Sequence, residues 1–293
     1  GMIAAPETLE HNIGWLKSKG YEFISLEDWP KVTEKATSKS PKYAAITFDD
    51  GWLDNLLHAA TIINETKVPA TIYLVGNHLQ NGKGFWPTDI MILASYLTED
   101  SLMEMLATDS LLEFEASSQI ERREMCTELR VHQIGQVNRY IEQCKKYPDQ
   151  QLEEIINRLF HRLNIPDEVR SKTVTPAQVN ELIENGFSIG SHTLNHRRLT
   201  TGLSESDIAN EVIDSKKTLE HICATSVTSF CYPNGDWDPV SRNFATQAYQ
   251  TAVTTELGKN WRESDNHTLK RLTMHDGVSA NKNRFFARLN GWI

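Results

Sequence analysis

Tyr43-Ala44-Ala45-Ile46-Thr47-Phe48-Asp49-Asp50-Gly51 is a short apolar run that stops at two aspartates and a glycine. Beyond it, Leu56, Leu57, Ala60 and Ile63 recur at helical spacing, so the segment reads as strand, turn and helix. Pro69 to Gly76 is a second apolar run, and together they begin a parallel βαβ arrangement. Toward the N-terminus, Leu9, Ile13 and Leu16 mark a helix from Thr8 to Gly20, and Tyr21 to Leu26 reads as extended. Toward the C-terminus the rhythm resumes at Thr175, where Thr175, Pro176 and Gln178 form a capping-box signal for a helix ending at Gly186. Phe187 to Ser191 is then a strand. Ser204 caps a helix carrying Ile208, Val212, Leu219 and Ile222, Val227 to Tyr232 is a further strand, and Pro233-Asn234-Gly235 turns the chain into a helix that starts at Asp238-Pro239. From about 77 to 173 the sequence is polar and mostly helical, with Leu152, Ile155, Ile156, Leu159 and Leu163 on one face, and reads as an insertion. The expectation is one α/β domain, 1–293, with a parallel sheet that is either open or closed into a barrel.

Composition narrows the function. The 293 residues carry 30 Lys+Arg against 39 Asp+Glu, a formal charge of −9. A net acidic chain without a basic cluster is a poor partner for phosphate backbones, so nucleic acid is excluded as the expected ligand. The longest apolar stretches, such as Ile90 to Leu97, fall far short of the ~20 residues a spanning helix needs. Cys126, Cys144, Cys223 and Cys231 are too few and too scattered for a disulfide framework or a thiolate zinc site, and read as free thiols. No leader-like segment heads the chain, which favours a cytoplasmic location. Gly1 ahead of Met2 reads as a cloning remnant, so an extracytoplasmic location stays open should an upstream segment have been trimmed. The oligomeric state is not legible.

Polar residues fall at the ends of apolar strands: Asp49 and Asp50 after one, His192 after another, Pro233-Asn234 after a third. In parallel α/β folds the strand carboxyl ends are where sites are built. His192 and His196 lie four apart, so one helical turn would aim both imidazoles at one point, with an aspartate from a neighbouring strand completing a two-histidine, one-carboxylate set for a divalent ion. Either motif alone recurs by chance; their placement at successive strand ends is the signal. Two adjacent aspartates suit a metal hydrolase, where one group holds the ion and another takes the proton from water.

Thr47-Phe48-Asp49-Asp50-Gly51 and Ser191-His192-Thr193-Leu194-Asn195-His196 resemble the first two motifs of the polysaccharide deacetylases, the NodB-homology or carbohydrate esterase family 4 enzymes. The similarity extends to Leu16–Tyr21, Ile24–Leu26, Pro69–Thr71 and Phe230–Gly235. The resemblance implies a distorted (β/α) barrel of about seven units and metal-dependent removal of N- or O-acetyl groups from an acetylated glycan or sugar conjugate. It implies Asp49 as general base and Asp50, His192 and His196 as ligands of a divalent ion, zinc first among the candidates, whose water attacks the acetamide. A backbone N–H near Asn234 would stabilise the oxyanion.

The sequence departs from the family pattern twice. Where the family often has an arginine paired with the base aspartate, this chain has Cys231, so either another cation, Arg271 or Arg262, replaces it or the enzyme is slow or inactive. The final motif places a histidine two residues after a leucine as general acid, whereas Leu272-Thr273-Met274-His275 has one residue more; His275 is carried as the candidate. Trp52 and Trp237 are candidates for stacking on a sugar ring. Two further classes stay open: a non-catalytic glycan-binding descendant, motivated by Cys231 and Asn234, and an iron-dependent oxygenase using the same ligand set, which leaves Asp49 without a role.

Overall fold

The computed structural model describes residues 4–37, 39–123, 129, 131–200 and 202–292, so Cys126 and the Gly1-Met2 start lie outside the described residues. The chain divides into two compact units, Gly1–Gly82 with Thr173–Ile293, and Lys83–Lys172.

The first unit holds eight strands among its described residues: β1 (Tyr21–Phe23), β2 (Lys42–Ala44), β3 (Ile46–Phe48), β4 (Ala70–Leu74), β5 (Phe187–Ser191), β6 (Ser229–Cys231), β7 (Thr251–Leu257) and β8 (Leu269–Arg271). β1 and β2 form a parallel pair, and β3 to β8 form an all-parallel sheet in chain order. The run from Tyr43 to Phe48, expected as one strand, is therefore two. Its halves bond to different partners: Ala44 O accepts from Ile24 N at 3.0 Å, whereas Ile46 to Phe48 pair with Ala70 to Ile72. Apolar character marks a run as buried but does not say which edge it joins. The extended reading of Tyr21 to Leu26 is likewise shortened, because Leu26–Asp28 forms a 3₁₀ turn.

The sheet is strongly curled. Five strand spacings separate β3 from β8, about 24 Å if the sheet were flat. Yet Arg271 at the end of β8 donates to Asp49, just past β3, at 2.7 Å. No arginine side chain spans that gap, so the two edges must curve toward one another as in a distorted barrel.

Alternation along the strands separates two faces. Ala70, Ile72 and Leu74 of β4, with Phe187 and Ile189 of β5 and Phe230 of β6, pack into the main core with helix residues Ile63, Leu182, Val212 and Leu219. The opposite face is built from small polar groups and a few larger apolar ones. Thr71 and Ser188 hydroxyls meet at 2.9 Å, Tyr73 and Ser229 at 2.7 Å, and Thr251 donates to Ser229 at 3.1 Å. Tyr73, Cys231, Val253 and Leu269 cluster on this face. Gly190 is the spacer that admits Tyr73, since a Cβ there would lie 2.3 Å from the ring.

Local signals at the helix ends act as expected from their chemistry. Thr175 N donates to Gln178 Oε1 at 2.9 Å, Asp207 N to Ser204 Oγ at 3.1 Å, and Ser241 N to Asp238 Oδ1 at 2.8 Å. The segment 205–223 contains a π turn at Asn210–Asp214, a distortion that is frequent near functional sites.

The second unit, Lys83–Lys172, is helical, with Trp86–Tyr96, Glu99–Ala107, Leu111–Glu115, Val131–Cys144 and Asp149–Arg162. It buries its own core around Leu93, Phe114, Ile156 and Phe160. Its limits are tighter than the 77–173 expected for the insertion, because Gly76–Asn81 forms a helix that belongs to the first unit. Asp89 there accepts from Arg170 Nη2 at 2.6 Å and from Ser171 Oγ at 2.9 Å.

Candidate metal centre

β3 delivers both aspartates to the carboxyl edge of the sheet. Asp50 and Gly51 each have φ of 72°, a left-handed geometry that a non-glycine residue seldom adopts. Gly51 adopts it without side-chain strain, a Cβ there would press on Leu74 Cδ2 at 2.6 Å, and its carbonyl is fixed by Val174 N at 2.8 Å. This double left-handed turn separates two adjacent carboxylates: Asp49 faces Arg271, and Asp50 faces the histidines.

β5 delivers His192, which is buried. Its backbone N donates to Leu74 O at 2.9 Å, and its Nδ1–H donates to Cys231 O at 2.7 Å. With Nδ1 spent on a carbonyl, Nε2 is the nitrogen presented to Asp50 Oδ1, 3.4 Å away. His196 Nε2 lies 3.2 Å from the same oxygen. The helical turn expected between the histidines is absent. Residues 192–196 form a loop in which Thr193 (φ 67°) and His196 (φ 60°) are left-handed, and the two reversals bring the rings together instead. The loop is held on both sides. Thr193 O and Leu194 O accept from Gly76 N and Asn77 N at 3.1 and 2.9 Å. Buried Glu211, in the π turn, accepts from Asn195 N at 2.9 Å and from Asn195 Nδ2 at 2.8 Å.

One ligand atom each from Asp50, His192 and His196 lies within 4.8 Å of the others. Two imidazole nitrogens and one carboxylate oxygen converging in this way, with one ring oriented by a carbonyl, fit a divalent ion. Burial raises the Asp50 carboxyl, but hydrogen bonds and charge from both histidines outweigh it and hold it well below the usual range. Burial lowers His192, but Cys231 and Asp50 more than reverse this and raise it well above an ordinary histidine. His192 of the ion-free protein thus keeps its extra proton above the usual range, and an ion must displace it. Metal affinity is therefore expected to rise with pH, with proton release on binding, checked by calorimetry in buffers of different ionisation enthalpy. Uptake that is independent of pH would contradict this arrangement.

Beside the set, Arg271 donates from Nη1 to Asp49 Oδ1 at 2.7 Å and from Nη2 to Oδ2 at 2.8 Å. It is itself oriented by Thr254 O (2.8 Å), Thr47 Oγ1 (3.2 Å) and Cys231 Sγ (3.3 Å). Burial pushes Asp49 up, but the guanidinium, by charge and by hydrogen bonds, holds it below the usual range. Burial also pushes up the Cys231 thiol and keeps it neutral.

Of the remaining candidates, Trp52 bonds directly to the donor set. Asn234 is left-handed (φ 56°), and its carbonyl accepts from Thr255 Oγ1 at 2.8 Å. Trp52 Nε1 donates to Asp50 Oδ2 at 3.0 Å. Trp237 is 40% exposed, its ring centroid 6.5 Å from that of Tyr232. His275 caps the short helix Asp276–Ser279, with Nδ1 accepting from Gly277 N at 3.1 Å. Arg262 donates to Ala36 O rather than to Asp49. Sequence reasoning missed Thr47, Thr254, Glu211 and the Cys231 carbonyl. Thr254 and Cys231 contribute backbone atoms that leave no residue-type signature, and the acidic residue at 211 reads as an ordinary helix position.

Residues 36–253 match the family model described as polysaccharide deacetylase. The chain belongs to the polysaccharide deacetylase family. YxkH of Bacillus subtilis (strain 168), named as a polysaccharide deacetylase, is 21% identical over 272 residues, which cover 92% of this chain and 65% of YxkH. The chain thus spans about two thirds of the length of that curated relative. Among solved structures, the Streptococcus pyogenes deacetylase PplD in complex with acetate superposes with a TM-score of 0.60 at 18% identity, covering 95% of this chain and 85% of PplD. IcaB from Ammonifex degensii gives a TM-score of 0.58 at 13% identity, covering 98% and 88%. These likenesses establish the fold as the distorted (β/α) barrel of NodB-type deacetylases. Among the described residues no helix is long and apolar enough to cross a membrane.

Proposed function

We propose that this family member is a metal-dependent hydrolase that removes N- or O-acetyl groups from a carbohydrate, the first unit forming the catalytic domain and the helical unit an insertion in it. The observation that carries this is the division of labour between adjacent aspartates: Asp50 closes a donor set with His192 and His196, while Asp49 stands outside it, ionised and clamped by Arg271. A divalent ion, zinc first among candidates, would supply Lewis acidity there, acidifying a water and polarising the acyl oxygen.

The protein's own residues do the rest. Asp49 accepts the proton that the attacking water gives up, and Arg271 keeps that carboxylate ionised and fixed in orientation. Arg271 thereby does from β8 what the family's arginine would do from the position of Cys231, which supports a catalytic rather than a purely glycan-binding role. In the Pro233–Gly235 turn, Gly235 N and Asp236 N donate to Tyr232 O and Pro233 O, so Asn234 N–H is our candidate oxyanion donor. His275 is the candidate general acid, and exposed Trp237 the candidate platform for a sugar ring.

The test is metal content together with acetate release from N-acetylated oligosaccharides. Wild type is expected to hold a near-stoichiometric divalent ion and release acetate, and His192→Ala with His196→Ala to lose both. Glycan binding without acetate release at full metal occupancy would favour the binding-protein reading. A requirement for oxygen and a reductant would favour the oxygenase.

A further inference from the structure

Trp52 follows the aspartate pair, where its ring invites a sugar-stacking role, but its polar atom is committed elsewhere. Asp50 offers two oxygens to different partners. Oδ1 faces both imidazoles, 3.4 Å from His192 Nε2 and 3.2 Å from His196 Nε2, and Oδ2 accepts from the Trp52 indole at 3.0 Å. We infer that Trp52 is a positioning residue of the metal centre, its N–H holding Asp50 to single-oxygen coordination. This rests on the metal-hydrolase reading above and deepens it.

Indole suits the task because its N–H only donates and the ring carries no charge, so it can neither ligate the ion nor protonate the carboxylate. A hydrogen bond to one carboxylate oxygen draws off its electron density and favours ligation through the other. That leaves more of the ion's coordination sphere for water and substrate. The backbone fixes the indole in place. Trp52 forms an antiparallel bridge with Thr173, its carbonyl accepts from Asn55 N at 3.1 Å, and the preceding Gly51 carbonyl accepts from Val174 N at 2.8 Å. A residue anchored on both sides, with its N–H spent on a ligand, is preorganised toward the metal centre.

Trp52→Phe keeps a ring and removes the N–H, and Trp52→Gln removes the ring and returns an N–H donor. Cobalt(II) serves as the probe, with affinity from chelator competition, coordination from the visible d–d spectrum, and KM and kcat on an N-acetylated oligosaccharide at saturating metal. Trp52→Phe is expected to weaken cobalt binding about 10- to 100-fold and to change the d–d spectrum as Asp50 gains freedom to ligate through both oxygens, with KM unchanged. Trp52→Gln is expected to recover part of the affinity, which a loss due only to poorer packing would not allow. Wild-type affinity and spectrum in Trp52→Phe, with a raised KM, would overturn the inference in favour of a sugar platform and leave the metal reading intact. A wild type that binds no more cobalt than His192→Ala with His196→Ala would overturn the metal reading, and this inference with it.

Discussion

Asp49→Asn is expected to lower kcat for acetate release by about 10²- to 10⁴-fold, the span typical of losing a general base, while metal content stays at the wild-type level. Asparagine preserves the volume and one acceptor for Arg271 but cannot accept the water's proton. The metal content is the informative half of the result. Asp49, His192 and Cys231 also place one donor atom each within 4.8 Å of one another, so geometry offers a second triplet that shares only His192 with the first. Three observations argue against that triplet as the ion's seat. Arg271 already balances the Asp49 charge, burial keeps the Cys231 thiol protonated, and His192 spends Nδ1 on the Cys231 carbonyl. If Asp49→Asn lost its metal along with its activity, Asp49 would be a ligand and the two aspartates would have to exchange roles. Retained metal with collapsed turnover is what the base assignment requires.

The fold was legible wherever local chemistry and burial agree. The capping signals at Thr175, Ser204 and Asp238 mark helix starts because a nearby side chain, Gln178 for the first and Ser204 and Asp238 themselves for the others, satisfies an amide group in the same chain. Strands β4 and β5 stand out because they are bounded by Pro69 and Gly76, or by Gly186 and a polar loop. β7 and β8 were not anticipated. β7 ends in the exposed residues Thr255, Glu256 and Leu257, and β8 is three residues long with two of them basic. Thr251-Ala252-Val253-Thr254 has the β-branched character that could have marked β7; β8 carries no such mark.

At the site, residue types were readable and conformations were not. Asp49, Asp50, His192 and His196 are conspicuous by their position after apolar runs. What joins them is a pair of left-handed turns, at Asp50-Gly51 and across 193–196, of which only Gly51 has a sequence signature. A four-residue spacing suits a helix, but here the histidines converge through backbone reversals held by Gly76, Asn77 and Glu211. Those braces are distant in sequence, and two of them act through main-chain amides.

Arg271→Met is the second large effect, and it separates charge from packing, since methionine keeps much of the aliphatic stem. The pair is partly buried, with side-chain exposures of 17% for Arg271 and 31% for Asp49. The stability cost should therefore lie between the ~0–1 kcal/mol of an exposed pair and the ~3–5 kcal/mol of breaking a buried one, about 2 kcal/mol near neutral pH. Asp49 has a folded-state pKa below its unfolded value. The stabilisation this brings is thus fully present above the unfolded value near 3.9 and is lost as pH falls through the folded one. The destabilisation in Arg271→Met, read as a shift in denaturant midpoint, should accordingly shrink as the medium is acidified. Without the guanidinium, the strongest influence opposing burial is gone and the Asp49 pKa rises, so the acid limb of kcat/KM should move to higher pH, with turnover at neutral pH falling about 10- to 100-fold. Arg271→Lys returns the charge without the two-pronged geometry and should restore the position of the acid limb more completely than it restores kcat. An acid limb that stays put in Arg271→Met would mean that Arg271 only fills space beside Asp49, and the base would then owe its ionisation to the histidines and to any ion they bind.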